Sequence, residues 1–195
     1  MTINQEGSDP RPLLYRSLDQ AAMVVRAVAE DQHRLPTPCT EFDVKALVSH
    51  VVGVCNRVVG AGRGEPQAGA AQVPAGSEGR LADTCDDLNA QARTVWADDA
   101  ALDRKISLPF GTFDGATVAA IYTMELTAHA WDLAQATGQV EILDDELAVA
   151  SLAVAHVALP VEQRGGPIPF EPVVAVADDA SPYDRLAAYL GRGID

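Results

Sequence analysis

Apolar residues in this sequence recur at intervals of three and four over five long stretches, and almost nowhere alternate with polar residues at every second position. Leu14, Leu18, Ala21, Ala22, Val25, Val28 and Ala29 mark the first stretch, and Val44, Leu47, Val48, Val51, Cys55 and Val58 the second. Ala and Val supply most of the apolar content, while Trp, Tyr and Phe number 2, 4 and 4 in 195 residues. Small side chains let helices approach closely at little cost in side-chain entropy. The pattern predicts an all-α fold: a slim four-helix bundle with a short C-terminal helical appendage and one small β-hairpin.

Local signals set the expected boundaries. Residues 1–11 read as a disordered lead and residues 12–195 as one domain. A first helix is predicted over Pro12–His33, followed by an extended link containing Pro36 and Pro38. Thr40-Glu41-Phe42-Asp43 has the form of a capping box and opens a second helix that runs to about Gly60. Residues 60–80 hold six glycines and two prolines, a long loop and a candidate lid. Further helices are predicted over Leu81–Asp99, Asp114–Thr137 and Asp144–Leu159, with Gly138 capping the second of these and a last short helix over Pro182–Gly191. The stretch Lys105–Gly115 is the one β-like patch, and the Pro/Gly-rich segment after Pro160 should wrap over the bundle surface.

Charge excludes several partners. With 14 Lys and Arg against 28 Asp and Glu the net charge is −14, which repels nucleic-acid backbones and anionic lipid. The apolar stretches read as broken before the roughly 18 residues that would span a bilayer, and the first dozen residues lack the apolar centre of a secretory signal. Cys39, Cys55 and Cys85 are odd in number and form no CxxC pair, so no disulfide framework is expected and the reducing cytoplasm is the expected location. No glycine-rich nucleotide loop and no nucleophile elbow is present. A homodimer is the default symmetric assembly.

The candidate chemistry lies on Asp114–Thr137. Wound at 100° per residue, this helix places Glu125, His129 and Asp132 on the stripe that Val118, Ile121, Tyr122 and Leu133 mark as facing the core. A buried carboxylate needs a proton, an ionic partner or a metal, and the helix contains no Lys or Arg. Glu125 and His129, one turn apart, can reach a common point. His50 sits on the shoulder of the second helix's apolar face and is the candidate third ligand. Two nitrogens and one carboxylate with open positions form the ligand set of a reactive divalent centre. Asp132 is a candidate acceptor behind the histidine. Cys39 precedes a helix N-terminus, where thiolate is favoured, but reads more simply as a packed residue. His33 and His156 read as partnerless, Asp144-Asp145-Glu146 as a helix start, and Asp178-Asp179 as a solvated loop.

TPCTEFDVKALVSHVVG, followed some distance on by MELTAHAWDLAQATGQ, resembles the DinB/YfiT-like metalloprotein superfamily. More narrowly it is similar to the actinobacterial branch related to the N-terminal domain of mycothiol-dependent maleylpyruvate isomerase, and DDASPYDRLAAYLGR is similar to the end of short members of that branch. The resemblance implies a four-helix bundle holding a divalent metal, commonly zinc or nickel, at one end, with His50, Glu125 and His129 at the ligand positions. It also implies use of mycothiol or another low-molecular-weight thiol with a small electrophilic substrate, in a transferase or isomerase-like reaction. The isomerase's additional C-terminal domain, with its functional arginine, is expected to be absent, and maleylpyruvate isomerisation itself is then not the expected activity. The competing readings are a non-catalytic metal-binding or stress-associated bundle protein, and a helical interaction module whose polar triad is a hydrogen-bond network.

Overall fold

The structure is a computed structural model and describes residues 9–67, 69, 71–77, 79–164 and 170–194. Its main body packs α1 (Arg11–Ala27), α2 (Val44–Arg63), α3 (Leu81–Val95) and, after the single-turn α4 (Ala100–Asp103) and the strands β1 (Lys105–Leu108) and β2 (Gly111–Asp114), the long α5 (Gly115–Thr137). Two further α-helices follow, α6 (Asp145–Ala158) and α7 (Pro182–Tyr189). This is the all-α bundle that the periodicity predicts, with the one small hairpin.

Side-chain caps decide where several helices begin. Asp43 accepts from the Ala46 amide at 2.8 Å and starts α2, so the cap is Asp43 and not Thr40. Asp114 accepts from the Thr117 amide at 2.7 Å and starts α5, which ends at Gly138 with φ +74° as expected. Asp144 accepts from the Glu146 amide at 3.0 Å and opens α6, and Ser181 accepts from the Asp184 amide at 3.1 Å and opens α7.

The first helix is shorter than the periodicity suggests. It stops at Ala27, and Glu30–Gln32 forms a separate 3₁₀ turn. The Gln32 amide explains the break: its oxygen accepts from the Ala29 amide at 2.9 Å while its nitrogen donates to the Thr137 carbonyl at 3.2 Å. The predicted Leu81–Asp99 helix also divides, ending before Trp96, which is fully buried and donates from Nε1 to the Val58 carbonyl at 2.9 Å. At the N-terminus residues 1–8 of the predicted lead lie outside the described residues, but Arg11 is already helical and donates to Asp9, Asp99 and the Ala97 carbonyl.

The hairpin pairs Lys105 with Asp114, Ile106 with Phe113, Ser107 with Thr112 and Leu108 with Gly111, and turns at Pro109-Phe110. It leads into α5 through a close contact. A Cβ on Gly115 would lie 1.9 Å from the Ala101 carbonyl oxygen, a backbone atom of α4. Gly115→Ala is therefore expected to cost about 3 kcal/mol, at the upper end of ordinary overpacking, read as a fall in the urea midpoint.

α5 is the axis of the molecule. Every residue from Thr117 to Ala134 is buried except Glu125. One side of α5 shares a core with α1, α2, α3 and the hairpin, where Leu14, Leu47, Val51, Leu126 and Leu133 meet. The other side, through Met124, Ala128 and Trp131, packs on α6 and α7 through Ala148, Ala155, Tyr183 and Leu186. The C-terminal part is thus a second layer with its own apolar cluster. A helix that is apolar all round belongs in a core, so the single core-facing stripe drawn from the sequence is replaced by burial on nearly every face.

By length and mean hydropathy of 1.3, α2 is apolar enough to cross a membrane, contrary to the sequence reading. Its most apolar window is 67% buried within the fold, as a core helix is. α2 ends at Arg63, capped by Gly64 and beyond the predicted Gly60. The loop that follows is held to the bundle at several described points: the Gln67 amide donates to the Ser107 carbonyl at 3.1 Å, Asn56 donates to the Gln72 carbonyl at 3.2 Å, and Arg57 donates to the Gly69 carbonyl.

Candidate metal centre

α2 and α5 bring His50, Glu125 and His129 together. His50 Nε2 lies 3.3 Å from Glu125 Oε1, and His129 Nε2 lies 3.8 Å from the same oxygen. One ligand atom from each residue falls within 4.8 Å of the other two. The helical spacing supplies Glu125 and His129 from one turn of α5. Asp43, by starting α2 where it does, leaves His50 two turns into that helix and opposite them. Phe42, the residue before the cap, stacks on the His50 ring at 5.0 Å between centroids, and the two imidazoles meet edge to face at 4.8 Å.

The electrostatics favour a cation among these groups. Burial would raise the Glu125 pKa, but the hydrogen bond from His50, the charges of His129 and His50 when those rings are protonated, and the charge of Arg192 hold it down at about 2. Glu125 is therefore a carboxylate at neutral pH. Its side chain keeps 35% exposure, an opening in an otherwise buried run of α5. Behind it, His129 Nδ1 lies 3.0 Å from Asp132 Oδ2. When Nδ1 carries the proton and donates it to Asp132, the lone pair of a neutral ring is on Nε2, which faces Glu125. Two acceptors then face each other at 3.8 Å, an arrangement that a cation between them would relieve. A histidine that donates its far N–H to a carboxylate is the usual support of a metal ligand. Donors sharing an ion at about 2.0–2.1 Å stand roughly 3–3.4 Å apart at tetrahedral or octahedral angles. The 3.3 Å edge matches this spacing, and the 3.8 Å edge requires a small closure. With all three donor atoms within 4.8 Å of one another, two imidazole nitrogens and a carboxylate are a donor set that could hold a divalent ion after this closure.

A second group, Cys39, His129 and Asp132, also converges within 4.8 Å. Its chemistry differs because Asp132 is already neutralised. Arg192 donates from Nε to Oδ1 at 3.0 Å and from Nη2 to Oδ2 at 2.9 Å, and Asp132 is fully buried. Burial, with the charge of Asp132, pushes the Cys39 thiol above its usual pKa, so it is not the activated thiolate that its place before a helix suggests. Cys55 and Cys85, unrelated by spacing, bring their sulfurs to 3.5 Å at the buried contact of α2 with α3, and all three cysteines are free thiols. His33 and His156 belong to neither group. The His156 ring packs instead on Tyr189, 4.3 Å between centroids.

Sequence reasoning missed Arg192 and Phe42. Arg192 is separated by 60 residues from Asp132, and no local pattern announces the pairing. Phe42 had a weak signal, an aromatic residue directly before a helix cap.

The family model described as the mycothiol maleylpyruvate isomerase N-terminal domain matches residues 14–134, a stretch that contains His50, Glu125, His129 and Asp132. The chain belongs to this DinB-like family. Two proteins of Mycobacterium tuberculosis are each 35% identical to it over 186 residues, 95% of this chain and 99% of theirs. They are named as the uncharacterized proteins MT0763, of strain CDC 1551 / Oshkosh, and Rv0738, of strain H37Rv. No solved structure matches the chain. Arg192 and the whole α6–α7 layer lie outside the stretch matched by the mycothiol maleylpyruvate isomerase N-terminal domain family.

Proposed function

We propose that this protein binds a divalent metal, zinc or nickel, through His50, Glu125 and His129, and uses it with a small thiol, mycothiol or a relative, to act on a small electrophile. The observation that supports the reading is the grouping of two imidazole nitrogens and a carboxylate oxygen within 4.8 Å of one another, at the single break in the buried run Thr117–Ala134. Membership of a family described by mycothiol and by maleylpyruvate isomerase supports the choice of thiol. The three free cysteines are consistent with a reducing, cytoplasmic setting.

Each residue has a task in this reading. His50 and His129 offer neutral nitrogens, Glu125 offers one negative charge, and Asp132 fixes the His129 ring by taking its Nδ1–H. Phe42 covers one face of the His50 ring. The exposed side of Glu125 is where a small thiol would enter. When bound, a divalent ion of this kind lowers the pKa of a thiol or water that it meets, which favours the thiolate at neutral pH.

Thiol binding to the cobalt-substituted protein tests the proposal. Mycothiol added to it is expected to produce a sulfur-to-metal charge-transfer band, and thiol-dependent consumption of small electrophiles should follow with the zinc or nickel form. Stoichiometric metal with neither thiol binding nor thiol-dependent turnover would leave a non-catalytic metal-binding protein and sink the enzyme reading.

A further inference from the structure

The C-terminal turn has a geometry that serves the metal centre. α7 closes with two bonds, the Gly191 amide to the Ala188 carbonyl at 3.0 Å and the Arg192 amide to the Ala187 carbonyl at 2.9 Å. This pairing requires a left-handed residue after the helix, and Gly191 supplies it with φ +84°. A side chain there has no room either: a Cβ would lie 2.7 Å from Glu171 Cβ and 2.8 Å from its carbonyl oxygen. The turn sends Arg192 back toward α5, where its side chain is nine-tenths buried and meets Asp132 through three contacts of 2.9–3.3 Å.

We propose that Arg192 is a positioning residue for the metal centre: its fork fixes the Asp132 carboxylate, which in turn fixes the His129 ring with Nδ1–H donated and Nε2 turned to Glu125. His129 and Asp132 are three residues apart on one helix, and that spacing alone leaves the carboxylate free to rotate. The planar guanidinium, with two N–H groups in a fixed fork, removes this freedom in a way an ammonium does not. Arg192 also chooses between the two candidate clusters. By holding a positive charge on Asp132 it closes the Cys39 side of His129 to a cation and leaves the His50–Glu125 side.

The metal part of this inference rests on the metal-centre reading above, whereas the orientation of His129 does not. The experiment therefore has two arms, on the full chain. In metal-free protein, side-chain ¹H–¹⁵N correlations should show His129 as the Nδ1–H tautomer. Arg192→Met should change that signal, Arg192→Lys should restore it in part, and Gly191→Ala, which displaces Arg192 without touching the site, should weaken it. In the second arm, cobalt titrated without small thiols should bind the Arg192→Met protein about 10–100-fold more weakly, the range for lost outer partners of a ligand. A thiolate charge-transfer band absent from the parent protein should also appear, as Cys39 gains access to the ion. An unchanged His129 signal in folded Arg192→Met or Gly191→Ala protein overturns the inference. A changed signal in a protein that takes up no cobalt supports the positioning role and overturns the metal reading instead.

Discussion

Asp132→Ala is expected to destabilise the protein by about 3–5 kcal/mol, the cost of leaving a buried charge without its partner. Asp132 is fully buried, and its two oxygens take the Arg192 fork and face His129 Nδ1. With the carboxylate gone, a nine-tenths buried guanidinium loses its neutralising partner and its acceptors together. The same reasoning predicts that a double replacement by apolar residues, Asp132→Leu with Arg192→Met, recovers most of the loss, since a buried ion pair is worth little over a well-packed apolar pair. Urea unfolding of the three proteins checks both statements. A loss no smaller in the double variant would show that the region tolerates no repacking and that the charge argument is wrong.

Removing a carboxylate or an imidazole from the triad should have a different signature. Glu125→Gln keeps shape and the ability to accept a hydrogen bond, and the side chain is partly exposed, so little stability should be lost. Zinc affinity should nevertheless fall by more than about 100-fold, beyond the range for outer partners, because the one anionic ligand is gone. His50→Ala and His129→Ala should match it in affinity. His129→Ala should cost more stability, since it empties a buried space between α2 and α5 and removes a partner of Asp132. Calorimetric zinc titration together with thermal unfolding separates the two effects. Equal zinc affinity in the parent and Glu125→Gln proteins would remove Glu125 from the ligand set.

The sequence carried the local part of this structure well. Helix starts at Asp114 and Asp144 and the stop at Gly138 are each written in two or three neighbouring residues, and the structure places them within a residue or so of expectation. What failed was long-range. The end of α1 depends on Gln32 reaching Thr137, and the break after Val95 on Trp96 reaching Val58, neither of which periodicity contains. On a helical wheel α5 reads as one core-facing apolar stripe. Its Ala-rich faces are small enough to be buried on both sides, so Glu125 stands out as an opening rather than as an intruder in the core. The triad was legible because two of its members share one helical turn. Arg192 was not, because its pairing depends on where a separate layer of helices docks.

Zinc K-edge absorption of the zinc-loaded protein, prepared without small thiols, tests the central claim most directly. A first shell of nitrogen and oxygen alone, with the outer-shell pattern of two imidazoles, is the result expected for His50, Glu125 and His129. A sulfur scatterer at about 2.3 Å, the distance of a Cys39 thiolate, or a protein that retains no zinc would contradict it.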